Sequence, residues 1–244
     1  MADFLAEIGI NLGGRDGGGG GGGQGFGQGM GAAAGDSARE RTLRLLNAWR
    51  TEANAPDVLA YDGDLVDAVK AVLRDQANIL DDLIEGVDEE EREKRHFTAT
   101  LYHMELERVR YSLSRYLRTR LLKIEDSLEY LLTNQDMLDR LSYAEKAFAT
   151  KLYELNNNHF EDQLVARLRE MPGDVHEMVL MSSDRAKHAQ PPMNEFVFVM
   201  ALEDLDHIVM DENNADSGLR RGEVWVVRYS AVHREVLQGN AVLL

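Results

Sequence analysis

The side chains best suited to catalysis or metal binding are scattered along this chain. Seven histidines and no cysteine occur in 244 residues, which excludes a thiolate metal site, a cysteine nucleophile and a disulfide framework. Of the histidines, only His96 and His103 fall on one predicted helix; they stand seven residues apart and lack a matching set of close ligands, so they do not make a zinc site. Ser182, Ser183, Asp184 and His188 carry the groups a hydrolase uses, but no glycine-bounded turn presents either serine as a nucleophile. The run DENNADSG from Asp211 approaches a calcium loop and fails where Ala215 and Asp216 replace an oxygen ligand and a glycine. The acidic group Glu203, Asp204, Asp206, Asp211 and Glu212 reads as a solvated rim. The expectation is a chain with no catalytic residue, no cofactor and no metal.

A different chemistry is written in ELERVRYSLSRYLRTRLLKIE, from Glu105 to Glu125. It holds six basic residues against three acids, inside a chain of formal net charge -16. At about 100° per residue, Leu106, Val109, Leu113, Leu117, Ile124, Leu128 and Leu131 form one apolar stripe, the ordinary core face. Arg110 and Arg120 fall at the edges of that stripe, where their stems are expected to cover apolar surface and their heads to pair with carboxylates such as Glu107. On the opposite side Met104, Tyr111 and Leu122 stand among Arg108, Arg115 and Arg118. A helix apolar on two sides is buried on two sides. Arginine with aromatics and methionine is also the composition of protein interfaces, so Tyr111, Arg115 and Leu122 are expected to bind a partner. The alternative is a DNA-contacting module using the Arg-rich helix 105–125. A nucleic-acid platform calls for unopposed positive charge, however, and a pI near 4.8 repels phosphate before contact.

Gly13 to Gly35 is mostly glycine and cannot form a core. It reads as a flexible tether of roughly 25 Å r.m.s. span. Ahead of it, MADFLAEIGINL sets Phe4, Leu5 and Ile8 in a compact apolar stripe with Asp3 near the start, the pattern of a short docking helix. Asp36 and Ser37 can cap a first helix that runs to about Ala53, and Pro56 breaks it. A second is expected from Asp57 to about Leu83, a third from Arg92 to Leu132, and a fourth from Ser142 to Met171, where Pro172 and Gly173 stop it. Four helices with short connections make a bundle. After SSDRAKHAQPPM the texture changes: EFVFVMAL, HIVMD, EVWVVRY and AVLL are short branched or aromatic runs that read as strands. The domains expected are therefore a tail at 1–36, a helical domain at 37–173, a linker at 174–193 and a β-rich domain at 194–244. The fold class is α+β, mainly a helical bundle followed by a small β-rich domain. No stretch approaches the ~20 apolar residues that span a bilayer, and the start has no basic leader region, so a soluble intracellular protein is expected.

The string RVRYSLSRYLRTRLLKIE, from Arg108 to Glu125, resembles the signature helix of the Sld-five family of subunits of GINS, a heterotetramer of DNA replication. LLNAWRTEANAPDVLAYDGDLVDAV from Leu45, MPGDV from Met171 and EVWVVRYSAVHREVLQGNAVLL at the end follow in the same order. The resemblance spans about Leu43 to Leu244 and departs in the glycine tether and the long NNADSGLRRGE turn. It implies a helical A domain, a β-rich B domain and no enzymatic activity. The partners implied are the other GINS subunits Psf-one, Psf-two and Psf-three, and the Cdc-forty-five protein and Mcm ring of the replicative helicase, at replication forks in the nucleus. The terminal segment with Phe4, Leu5 and Ile8 is similar to the helix by which some members dock on the trimeric Ctf-four hub.

Overall fold

The structure, a computed structural model, describes residues 31–84, 89–160, 190–208 and 217–244. Seven helices lie among these residues: α1 (Gly31–Asn54), α2 (Gly63–Ile84), α3 (Glu89–Asp126), α4 (Leu128–Thr133), α5 (Gln135–Asp139), α6 (Tyr143–Phe160) and α7 (Tyr229–Gln238). The strands are β1 (Phe196–Ala201), β2 (Leu205–Ile208), β3 (Ser217–Leu219), β4 (Val224–Arg228) and β5 (Ala241–Leu243). The chain is mostly helical with a small antiparallel sheet at its C-terminal end, the α+β class expected. It divides into two compact units, Met1–Asn47 with Asp62–Arg115 and Ala48–Tyr61 with Tyr116–Leu244.

In the first unit, α1 begins earlier than its capping residues suggest. Gly31 to Gly35 is helical, because Ala32, Ala33 and Ala34 are the best helix formers and extending an existing helix is far less costly than nucleating one. Helix α2 begins later than expected. Asp62 caps it, its Oδ1 accepting the Leu65 N–H at 3.0 Å, and Leu65, Val66, Val69, Val72 and Leu73 form its buried stripe.

The second unit explains that late start, since residues 55–61 are an irregular connector here instead of the first turns of a helix. Helix α3 ends at Asp126 instead of running to Leu132, and Ser127 separates it from α4. The short α5 was not foreseen; Asn134 caps it through a bond from the Asp136 N–H at 3.1 Å. At the start of α6, Ser142 and Glu145 form a reciprocal capping box: the Ser142 N–H donates to Glu145 Oε2 at 2.8 Å and the Glu145 N–H to Ser142 Oγ at 3.2 Å. Residues 161–189, with the expected end of that helix, MPGDV and the Ser182 to His188 group, lie outside the described residues, as do the turn at 209–216 and residues 1–30.

The main sheet has the order β4-β1-β5, antiparallel throughout. Val199 pairs with Trp225 on one side and with Leu243 on the other. Strands β2 and β3 form a separate two-stranded ribbon. Tyr229, expected to end the strand EVWVVRY, instead opens helix α7, which continues through SAVHREVLQ; it buries Tyr229, Val232 and Val236 and ends at Gly239, whose φ of 81° favours a residue without Cβ. One sheet face, with Val197, Val199, Val227 and Leu243, packs on α7, and Ala55 and Leu59 of the connector join that core.

Candidate partner-docking surface

Arg120 is where the basic helix departs from expectation. Arg110 pairs with Glu107, as expected, and Arg120 also pairs with carboxylates, but its side chain is 0% exposed instead of reaching the surface. Its Nε and one terminal nitrogen clamp the two oxygens of Glu145 at 2.7 and 3.1 Å. The remaining donors reach Glu52 Oε2 at 3.1 Å, the Leu59 carbonyl at 2.7 Å and the Arg140 carbonyl at 3.2 Å. All five N–H groups of the guanidinium are thereby used. The rings of Tyr61 and Tyr116 stand 5.4 and 5.9 Å from its central carbon. Burial alone would lower the Arg120 pKa, but the charges of Glu52 and Glu145 outweigh it and hold it above the ordinary value.

One turn on, Lys123 donates to Glu52 Oε1 at 3.1 Å, to the Glu52 carbonyl, and to the Asp57 carbonyl at 2.8 Å. Burial lowers its pKa, opposed by Glu52 and Asp57. The Asp57 carboxylate, also buried, accepts the Tyr229 hydroxyl on Oδ1, while Oδ2 meets Arg140 at 2.7 Å and His233 Nε2 at 3.0 Å. Burial first, then the Asp57 charge, raises the Tyr229 pKa far above that of a free phenol. Three acids and three bases thus balance, and they also satisfy the carbonyls of the connector at 57, 58 and 59. Arg120, Glu52 and Glu145 are the network's fully buried centre, and Lys123, Arg140 and His233 reach its edge. Among the described residues no group of three or more His, Asp or Glu is placed to hold a metal.

The outward side of α3 is the opposite case. Phe97, Leu101, Met104, Arg108, Tyr111, Arg115, Arg118 and Leu122 recur at alternating steps of four and three, a heptad seam. All eight are exposed, and the five apolar ones keep between 48% and 68% of their surface open to solvent. Arg115 lies over the Tyr111 ring at 5.6 Å, and Arg108 pairs with Glu105 at 2.9 Å. Isolated exposed apolar residues need no explanation, but a continuous stripe of this kind marks an interaction surface. The core stripe is as expected, with Leu113, Leu117 and Ile124 all buried.

Of the residues singled out in the sequence, Tyr111, Arg115 and Leu122 therefore share one exposed face, and Phe4, Leu5 and Ile8 lie outside the described residues. Phe97 and Leu101 extend the same face and were missed, although the heptad spacing reveals them. A second apolar surface was also missed: Phe196, Phe198, Val224 and Val226 alternate with core positions on β1 and β4 and are half or more exposed. No helix among the described residues is long and apolar enough to cross a membrane.

Comparison with known proteins gives matches over both the helical and the β-rich parts. The family described as the GINS complex protein helical bundle domain matches residues 66–163, and that described as the DNA replication complex GINS protein SLD5 C-terminus matches residues 191–244. DNA replication complex GINS protein SLD5 of Arabidopsis thaliana is 31% identical over 203 residues, covering 82% of this chain and 89% of that protein. The protein of the same name from Rattus norvegicus is 28% identical over 214 residues, covering 82% and 87%, and that of Schizosaccharomyces pombe 27% identical over 188 residues, covering 77% and 84%.

Proposed function

The chain belongs to the SLD5 family of the DNA replication complex GINS, and from that premise we propose that it is a non-catalytic structural subunit of a GINS heterotetramer. Its helical A domain, at 37–173, and β-rich B domain, at 194–244, join Psf-one, Psf-two and Psf-three in the nucleus. The tetramer then engages Cdc-forty-five and the Mcm ring to complete the helicase that works in initiation and elongation. Phe4, Leu5 and Ile8 dock on a trimeric Ctf-four hub.

The observation that carries this reading is the exposed heptad seam of α3. An ionic network on the same helix buries its charges at Arg120 and Lys123, while the outward face keeps Tyr111 and Leu122 in solvent. Aromatic and arginine side chains held this way are the residues that dominate binding energy at protein interfaces. Co-expression with the three other subunits, followed by native mass measurement, tests it. The parent chain is expected in a 1:1:1:1 complex, and a Tyr111→Ala, Arg115→Ala, Leu122→Ala variant is expected to drop out while melting within a few degrees of the parent. A variant that assembles fully, or a parent that stays alone and binds duplex DNA with a steep salt dependence, overturns the reading.

A further inference from the structure

The outward seam of α3 changes chemistry along its length. Its first half, Phe97, Leu101 and Met104, is apolar and exposed, whereas its second half sets Arg115 and Arg118 between Tyr111 and Leu122. No acid occurs between Glu107 and Glu125, although six basic residues fall there. Carboxylates elsewhere answer four of them: Glu105 meets Arg108, Glu107 meets Arg110, Glu52 and Glu145 meet Arg120, and Glu52 also meets Lys123. Arg115 lies over the Tyr111 ring. Arg118 is exposed and meets no carboxylate among the described residues. It stands one helical turn from Arg115, and like charges at that spacing repel. Arg118 is therefore a charge that the described chain leaves unanswered, on the same unbroken helix as the exposed apolar stripe.

We infer that this seam takes one helix of a partner subunit, apolar where it meets Phe97, Leu101 and Met104 and bearing a carboxylate where it meets Arg118, and that Arg118 selects that helix. This rests on the function proposed above, in which the same seam binds another subunit, and names what that subunit must present. Steps of four and three from residue 97 to residue 122 are the spacing at which two helices pack side by side, here over roughly 38 Å of axis. A duplex offers phosphates to Arg118 but no apolar stripe to Phe97, Leu101 and Met104. A second copy of this chain fits the spacing and fails on charge. Aligned in parallel, it sets Arg108, Arg115 and Arg118 each opposite itself; reversed about the middle of the seam, it sets Arg118 against Leu101 and Arg115 against Met104. None of the eight seam positions is acidic, so a copy of the seam supplies no carboxylate to Arg118 in either direction. What remains is a helix of different sequence, with Asp or Glu at one position of an otherwise apolar stripe. A single charged pair inside such a stripe fixes register and partner, because every other register leaves both charges without a counterpart.

Zero-length crosslinking in the co-expressed complex tests the assignment. An Arg118→Lys variant keeps the charge and offers an amine, which a carbodiimide joins to a touching carboxylate as an amide. The most abundant adduct of that position is expected on one Asp or Glu of a partner subunit, flanked there by apolar residues at steps of three and four. Arg118→Glu changes only an exposed side chain; it is expected to melt like the parent and to lower recovery of that subunit about tenfold at ~0.15 M salt. Reversing the charge of the crosslinked acid as well is expected to restore recovery. Adducts to a second copy of this chain, adducts only within the chain, or an Arg118→Glu variant that assembles like the parent each overturn the inference while the parent's own assembly keeps the structural role standing. A parent that does not assemble removes both.

Discussion

Arg120 carries a charge that the sequence pattern alone mislocates. Helical periodicity puts it at the edge of a core stripe, where an arginine ordinarily snorkels outward. It turns inward because Glu52, Glu145 and two backbone carbonyls converge from segments 20 to 68 positions away, and no local pattern encodes that meeting. Removing one partner of such a cluster leaves the others buried and uncompensated. Arg120→Ala is expected to destabilise the chain by roughly 3–5 kcal/mol in denaturant unfolding, and the Arg120→Ala, Glu145→Ala double variant by less than the sum of the two single changes. Additive costs would show that the two residues are independent. Tyr229 gives a pH signature. Its folded pKa is raised above the unfolded value near 10, so its contribution is fully present below pH 10 and is lost as pH rises, because the unfolded state then releases a proton that the folded state keeps. The slope is about 1.4 kcal/mol per pH unit for one group. Lys123, with a lowered pKa, acts with the opposite sign below about 10.5. Tyr229→Phe is expected to remove the alkaline loss above pH 10 assigned to that hydroxyl; chemical denaturation at pH 9, 10 and 11 checks it, and an unchanged slope refutes it.

Elements were legible where one periodicity ran long enough to be read. The core stripe of α3 and strands β1, β4 and β5 follow directly from apolar spacing in the sequence. The misses have local causes. YSAVHREVLQ has only Tyr229, Val232 and Val236 at helical spacing, too short a stripe to stand out next to the strand EVWVVRY, and α7 is set by the sheet face it covers and by Gly239 at its end. The connector at 55–61 stays irregular because Lys123, Arg120 and Arg140 reach in to bond its carbonyls, something invisible until those side chains are placed. The two faces of α3 are expected to separate in experiment. Leu117→Ala, in the core, should cost about 2–5 kcal/mol of stability, whereas Arg115→Ala should leave the melt almost unchanged and weaken assembly. Identical behaviour of the two variants in melting and in co-purification would contradict the two-face description. Strand β5 pairs with β1 at three positions, with Leu243 fully buried. Deleting Val242 to Leu244 should therefore lower the stability of the β-rich part and reduce co-purification with partners; full recovery of the shortened chain in the complex would contradict that role.

For the whole molecule, the three acids and three bases of the buried network cancel, so the excess of 16 negative charges lies elsewhere on the chain. Such a field opposes approach to a polyanion. The isolated chain is expected to show no retardation of a duplex of about 30 base pairs at ~0.15 M salt. Retardation that Arg115→Ala and Arg118→Ala abolish would return the exposed seam to nucleic acid. The placement of Asp57 has a further outcome during biosynthesis. Its hydroxyl partner Tyr229 is 172 positions later, which at ~5–20 residues per second of synthesis is on the order of ten to thirty seconds of translation. Until its end the emerging chain holds Ala55, Asp57 and Leu59 with Arg120, Lys123 and Arg140 made but without the sheet and the Tyr229 hydroxyl that complete their cover, a state that a holding chaperone or an early-arriving partner must tolerate. A frameshift at the codon of Tyr229 therefore also strips the cover from positions 55 to 59, far upstream in the chain.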